Sequence, residues 1–225
     1  MPLRRTFITG IGVVSPHGDN LDDVFDRVFA GESAVRKVEV DANDANGANG
    51  SSCDMLLSPV DFGPGQLIPR VSRRFMARAS KMAVVAAHHA LEGSGLLVSG
   101  AGPAEAGIYM GCGLGGSDQL QAHYERYLAD PPRSLSVAGA LRIMPSGPAS
   151  HISMQYGIVG PNMTYSIACV SSAVAIGEAF RAIRHGYLDT ALAGGAEAQI
   201  NAGALAGWRE LSVLASEHES GAEAS

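Results

Sequence analysis

Cysteine, aromatic residues and long apolar runs are all scarce in this chain of 225 residues. The three cysteines, at positions 53, 112 and 169, are odd in number and widely spaced, so they indicate neither a disulfide framework nor a paired-cysteine zinc site. No segment approaches the roughly 18 to 20 consecutive apolar residues that cross a bilayer, so we expect no membrane span. These absences favour a cytoplasmic location, and the sequence signals neither a metal nor a cofactor.

Basic residues are outnumbered as well. The chain has 16 Lys and Arg against 22 Asp and Glu, a formal charge of −6 at pH 7. A nucleic-acid partner is not expected, because a protein that binds phosphates needs a basic surface. What the sequence does contain is 28 glycines and 46% hydrophobic residues, which favours a folded globular protein with closely packed backbones.

Short apolar segments alternate along the chain with segments of helical spacing. We interpret "RRTFITGIGVVSP" as a buried strand, "AGIYMG" and "MTYSIA" as further strands, and "SSAVAIGEAFRAIRH" as a helix. This alternation predicts an α/β fold with a mostly parallel mixed sheet and helices on both faces. Ligands of such sheets bind at the carboxyl ends of the strands, where residues 113–116 and Cys169 both fall.

Two segments are expected to lie outside the packed elements. Residues 41–66 are dense in Asp, Asn, Gly, Ser and Pro, which predicts a surface loop. Residues 216–225 are polar and predict a solvated tail. We therefore expect one domain over residues 1–215, interrupted by the loop.

The segment "ITGIGVVSPHG" superficially resembles a dinucleotide-binding loop, because Gly10 and Gly12 follow a predicted strand. The third glycine is missing, and Ser15 and Pro16 stand where the loop should enter a helix. A nucleotide-binding oxidoreductase is therefore a poor interpretation.

Cys169 lies between a predicted strand and the start of a predicted helix. The unpaired N–H groups and the positive dipole end of a helix start favour an anion, and the thiolate is the nucleophilic form of cysteine. Cys169 is therefore a candidate for covalent catalysis, whereas Cys53 and Cys112 are weaker candidates. The residues alone leave open a second interpretation, in which Cys169 is a small buried apolar residue.

A basic run marks the start of the helix predicted over residues 72–93. It contains Arg70, Arg73, Arg74, Arg78 and Lys81, although the chain is acidic overall. Cations at a helix N-terminus oppose the helix dipole, which indicates a cause other than helix stability, such as a binding surface. A solvated helix face without a partner explains the same pattern, and both interpretations stay open here.

The segment "YSIACVSSAVAIGEAFRAIRHGYLDTALAGGAEA" resembles the nucleophile region of the β-ketoacyl synthases. These enzymes have the thiolase fold and perform the condensations of fatty-acid and type II polyketide synthesis. Further segments resemble the same family in the same order, namely "RRTFITGIGVVSPHG", "AGESAV", "GCGLGG" and "YGIVGPN". The resemblance covers nearly the whole chain and implies the N-terminal half of the thiolase-like fold.

The resemblance implies roles for individual residues. Cys169 matches the family's acyl-accepting cysteine, whose backbone N–H forms half of the oxyanion hole. Leu114 matches a bulky residue that faces the acyl pocket. Arg70, Arg73 and Arg74 match basic residues that meet the acidic acyl carrier protein. The resemblance also implies a homodimer or a pair with a homologous subunit.

The implied reaction transfers an acyl group to the cysteine and then condenses it with malonyl-carrier protein, with loss of carbon dioxide. The family's histidine motifs for decarboxylation are found around none of the seven histidines, so we expect no condensation by this chain alone. Two alternatives are a non-catalytic subunit or scaffold and a thiolase that uses coenzyme A thioesters. The retained Cys169 disfavours the scaffold, in which Gln typically replaces the nucleophile. The matches at "GCGLGG" and "LAGGAEA" disfavour the thiolase.

Overall fold

The computed structural model describes residues 3–40, 53–129 and 137–215, and within these ranges it contains eight helices and five strands. The helices are α1 (Leu21–Phe29), α2 (Arg70–Arg73), α3 (Arg78–Gly93), α4 (Ser117–Ala129), α5 (Val137–Ile143), α6 (Gly147–Tyr156), α7 (Ser171–Arg184) and α8 (Ala202–Glu210). The strands are β1 (Arg36–Val40), β2 (Cys53–Leu57), β3 (Gly107–Gly111), β4 (Asn162–Tyr165) and β5 (Ala191–Gly195).

The chain divides into two compact units. The first combines the residues up to Val13 with Gly63–Ala198, and the second combines Val14–Phe62 with the residues from Gln199 onward. The first unit contains a three-stranded parallel sheet in the order β4-β3-β5. All five residues of β3 are buried, because this central strand pairs on both sides and is covered on both faces.

Helices cover both faces of this sheet. On one face Tyr109 packs against Ala175, Ala179 and Ala182 of α7, whose small side chains let the helix approach closely. Side chains alternate along a strand, so Ile108 points to the opposite face, where it is also buried. Helix α6 contacts β3 and β4. The prediction of a parallel sheet with helices on both faces is confirmed.

Glycines at the strand ends position the start of α7. A Cβ atom added at Gly111 would overlap the backbone of Ser171 and Ser172, and one added at Gly195 would lie 2.6 Å from the Cβ of Ser172. Any side chain at these two positions would therefore push the helix away from the sheet. The carboxyl ends of β3 and β5 accommodate the first turn of α7 because both strands end in glycine.

The interpretation of the N-terminal segment as a buried strand is wrong. Residues 3–13 form no strand, and Phe7 and Ile8 are 67% and 84% exposed. The segment pairs with none of the three strands of the sheet and runs along α3 instead. There Gly10 and Gly12 lie so close to the backbone carbonyls of α3 that a Cβ atom would overlap them.

The second unit contains an antiparallel pair of strands, β1 and β2, in which Val38 pairs with Met55. Met55 and Leu57 are buried against Leu205 of α8. The surface loop predicted over residues 41–66 is therefore wrong at Cys53–Leu57, where alternating apolar residues form a strand with a buried face. Residues 41–52 and the predicted tail at 216–225 lie outside the described residues.

The start of α1 and the end of α7 follow their sequence signals. Asn20 caps α1 by accepting hydrogen bonds from the backbone N–H groups of Asp22 and Asp23. Gly186, directly after the cap of α7, has a left-handed φ of 81° that stops the helix. None of the helices among the described residues is long and apolar enough to cross a membrane.

We expect Gly111→Ala to lower the free energy of unfolding by about 1–3 kcal/mol, because the added Cβ overlaps the backbone of α7. Gly177→Ala is the matched control within α7, where nothing lies within 4 Å of the added Cβ. This change should raise helix stability by up to about 1 kcal/mol. Urea unfolding of both variants measures the difference, and equal midpoints would contradict the close packing of α7 on Gly111.

Candidate active site

Cys169 lies in a tight turn between β4 and α7, formed by residues 166–170 and named here the nucleophile turn. The Val170 N–H donates to the Ile167 carbonyl over 3.3 Å, and the Ser171 N–H donates to the Ala168 carbonyl over 3.2 Å. The Cys169 thiol is free and exposed. A helix therefore begins directly after an accessible cysteine, as the sequence predicts, and the interpretation as a buried apolar residue is wrong.

The nucleophile turn contains a backbone conformation that is unusual for a residue with a side chain. Ala168 has a φ of 48°, in the left-handed region that favours glycine. The buried Ser171 hydroxyl stabilises this conformation, because it accepts from the Ile167 N–H over 2.8 Å and donates to the Ala168 carbonyl over 2.7 Å. The role of Ser171 was missed in the sequence, where its only signal is a hydroxyl at the first position of the helix.

The glycine loop, residues 113–116, follows β3 and lies at the same edge of the sheet. The Cys112 N–H donates to the Tyr165 carbonyl over 3.0 Å, which continues the pairing of β3 with β4. The Ser166 hydroxyl donates to the Gly113 carbonyl over 3.1 Å. The structure thus joins the glycine loop directly to the nucleophile turn. Leu114 lies in this loop with 45% of its surface exposed, and its predicted contact with an acyl chain stays a prediction.

Glu197, two residues after β5, binds the glycine loop. Its Oε2 atom accepts from the Gly113 N–H over 2.7 Å and from the Leu114 N–H over 3.3 Å. Sequence reasoning did not identify this residue, although "LAGGAEA" places an acidic side chain directly after a strand that ends in two glycines. The carboxyl ends of three adjacent parallel strands therefore contribute to one polar cluster.

Cys112 lies beneath the glycine loop and differs from Cys169 in exposure. Its side chain is buried, and its Sγ lies 3.9 Å from Oε1 of Glu197. Burial first, and the negative charge of Glu197 second, raise the pKa of the Cys112 thiol to about 11. Cys112 is therefore protonated and enclosed at neutral pH, which excludes it as the nucleophile.

The three arginines predicted to contact a carrier protein lie before the long helix and not at its start. Arg70 and Arg73 belong to the short helix α2, and Arg74 ends it. The predicted helix start at residue 72 is wrong, because Ala77 has an extended backbone and α3 begins at Arg78. The three arginines therefore precede the long helix α3, and an unfavourable interaction with the dipole of that helix is no guide to their role.

The three arginines differ in what they bind within the chain. Arg73 donates from Nε to the Ile68 carbonyl over 2.8 Å and from its terminal nitrogen to the Gly65 carbonyl. Arg70 and Arg74 are exposed, and the Arg74 guanidinium lies 4.6 Å from the centre of the Phe75 ring. Arg73 thus stabilises the preceding loop, whereas Arg70 and Arg74 present their charges to solvent.

A cavity of about 380 Å³ lies beside these arginines, and its lining includes Phe75, Met144, His151 and Met154. The Nε2 N–H of His151 donates to the Phe75 carbonyl over 3.2 Å. Burial lowers the pKa of His151 and so favours the neutral imidazole. The five residues predicted as site residues do not line this cavity.

A family model described as "Beta-ketoacyl synthase, N-terminal domain" matches residues 4–225. The chain belongs to the β-ketoacyl synthase family. The resemblance stated from the sequence is confirmed. The α/β fold predicted from that resemblance is confirmed by solved ketosynthase structures.

Relatives of this synthase domain are about twice as long. The chain is 31% identical to the 3-oxoacyl-[acyl-carrier-protein] synthase 2 of Coxiella burnetii, over 97% of this chain and 52% of the relative. It is 33% identical to nodulation protein E of Rhizobium leguminosarum bv. trifolii, over 94% of this chain and 51% of the relative. The ishigamide ketosynthase/chain length factor structure superposes with a TM-score of 0.80 at 29% identity, over 93% and 51% of the two chains. The chain spans about half the length of the curated relatives it matches.

The thiols of Cys112 and Cys169 should react at very different rates. Below pH 9, a pKa of about 11 in place of 9.0 reduces the thiolate fraction of Cys112 about 100-fold, and burial adds to this. We expect iodoacetamide at pH 7.5 to modify Cys169 while Cys112 stays intact, as measured by mass spectrometry of peptides. In 8 M urea, chosen as the control, the difference should disappear. Equal native rates would contradict the buried position of Cys112.

Proposed function

We propose that this chain is the acyl-accepting half of a β-ketoacyl-carrier-protein synthase. The observation that carries the proposal is the exposed Cys169 thiol at a strand end, directly before α7, in a chain of this family. The Cys169 thiol loses a proton, and the thiolate attacks the carbonyl carbon of an acyl thioester. The bond from that carbon to the carrier's sulfur breaks, and the carrier takes up a proton and leaves as a thiol. Leu114 then faces the acyl chain.

The second step of the proposed reaction is condensation. A malonyl unit on a second carrier loses carbon dioxide, its carbanion forms a bond to the acyl carbonyl carbon, and the Cys169 sulfur leaves. The family's histidine motifs are absent from this chain, so we propose that it accepts the acyl group but does not condense it alone.

The proposed pathway is fatty-acid or type II polyketide synthesis. The name of the Coxiella relative supports a carrier-protein substrate and disfavours a thiolase that uses coenzyme A. A non-catalytic scaffold is disfavoured by the accessible Cys169. We place the reaction in the cytoplasm, which the free thiols of Cys112 and Cys169, two of the three cysteines, support.

Two kinds of protein partner belong to this proposal. An acidic acyl carrier protein would meet the cluster of Arg70, Arg73 and Arg74, of which Arg70 and Arg74 are exposed. A second copy, or a homologous subunit, would form a dimer. Exposed apolar side chains on the first unit, such as Met163 and Phe180, support an association surface.

Cys169→Ala tests the acyl-accepting role. We expect the unaltered chain, incubated with acyl-carrier protein or acyl-coenzyme A, to gain the mass of one acyl group, and we expect Cys169→Ala to gain none. Cys112→Ala is the matched control and should still be acylated. Intact-protein and peptide mass spectrometry locate the adduct. Absence of an adduct on the unaltered chain with both donors would overturn the proposal.

The double variant Arg70→Glu and Arg74→Glu tests the carrier contact. Reversing two exposed charges should slow acylation by the acidic carrier at least about 10-fold, because charge complementarity governs the encounter rate. Acylation by acyl-coenzyme A should change much less. The control is Arg126→Glu combined with Lys37→Glu, two exposed positions away from the cluster, which makes the same change in net charge. Equal carrier-dependent rates in the double variant and this control would exclude the proposed contact.

A further inference from the structure

We propose that Glu197 is a positioning residue that fixes the glycine loop, and with it Leu114, against the nucleophile turn. The proposal deepens and rests on the proposed function, because it concerns the same site. In this proposal Glu197 keeps the acyl pocket aligned with Cys169 but does not contact the reacting atoms.

A continuous chain of hydrogen bonds connects the ends of three strands. Glu197, after β5, accepts from the Gly113 N–H over 2.7 Å. Ser166, after β4, donates to the Gly113 carbonyl over 3.1 Å. Both backbone polar groups of Gly113, after β3, are therefore bound by side chains from the neighbouring strands. A shift of the glycine loop would break a bond on one side or the other.

The carboxylate of Glu197 also fits closely against the glycine loop. A Cβ atom added at Gly113 would lie 2.8 Å from Oε2 of Glu197, so the carboxylate occupies space that only glycine leaves. Among the described residues no lysine, arginine or histidine forms an ion pair with Glu197, and two backbone N–H groups bind it instead. Hydrogen bonds to an ionised acceptor are roughly twice as strong as neutral ones.

The sequence of the glycine loop gives its backbone unusual conformational freedom. Three of its four residues are glycines, and Gly115 has a left-handed φ of 59°. Such a loop loses much conformational entropy when Leu114 is held in one place, so it needs anchors. One anchor is the Gly116 N–H, which donates to the Ile143 carbonyl over 3.3 Å. Glu197 anchors the other end, where Leu114 lies.

The test compares three variants of the side chains that bind Gly113, at Glu197 and Ser166, with one control variant. Glu197→Ala removes both hydrogen bonds, Ser166→Ala removes the bond on the other side, and Glu197→Gln keeps an oxygen that accepts the N–H groups without the charge. Glu105→Ala is the control, because Glu105 is exposed on the same unit. All variants are made in this chain.

The first measurement is the alkylation rate of Cys112 by iodoacetamide in the native chain. Opening the loop uncovers Cys112, so Glu197→Ala and Ser166→Ala should raise the rate about 10-fold or more. Glu197→Gln should stay within about threefold of the unaltered chain, because burial is the larger cause of the raised pKa of Cys112 and persists. Glu105→Ala should have no effect.

The second measurement is the single-turnover rate of Cys169 acylation. Misplacing Leu114 should slow it by about 10-fold to 100-fold in Glu197→Ala, with the half-saturating carrier concentration unchanged, and Glu197→Gln should restore it. If Glu197→Ala does not fold, Ser166→Ala supplies the same comparison. Unaltered values of both measurements in Glu197→Ala and Ser166→Ala would overturn the inference. Failure of the unaltered chain to be acylated would overturn the proposed function, while the Cys112 rate still decides whether Glu197 fixes the loop.

Discussion

The close approach of α7 to the ends of β3 and β5 is the constraint on which the site depends. Gly111 and Gly195 admit the first turn of the helix, and no larger residue fits there without moving backbone. Because the nucleophile turn is short, the distance between α7 and the sheet determines where Cys169 lies. The alanines of α7 that pack against Tyr109 keep the rest of the helix at the same short distance.

The parts of the fold that could be predicted from the sequence are those with local causes. The strand before Cys169, the helix after it and the glycine stop at Gly186 follow from patterns within a few residues. The N-terminal segment could not be placed, because its position depends on the close contacts of Gly10 and Gly12 with the backbone of α3, far along the chain. The strand at Cys53–Leu57 was missed since its buried face depends on Leu205, far along the chain.

The residues of the candidate site also fall into two groups, those that the local sequence identifies and those whose role depends on distant residues. Cys169 was found because the residue type and its position carry the chemistry. Glu197 and Ser166 act through contacts with residues 84 and 53 positions away, and no spacing rule connects such pairs. Arg73 shows the converse, since a basic run predicts exposed charge but two backbone carbonyls in the preceding loop bind this guanidinium. The sequence gives the positions of such side chains in the chain, but their roles depend on long-range hydrogen bonds that it does not reveal.

The left-handed backbone of Ala168 has a consequence for the order of folding. This conformation costs roughly 1–2 kcal/mol for a residue with a Cβ, and an isolated peptide of the same sequence would avoid it. The turn persists because the Ser171 hydroxyl and the packed start of α7 compensate for that cost. A nascent or partly folded chain therefore lacks the nucleophile turn, which forms only when the sheet and the helix have come together.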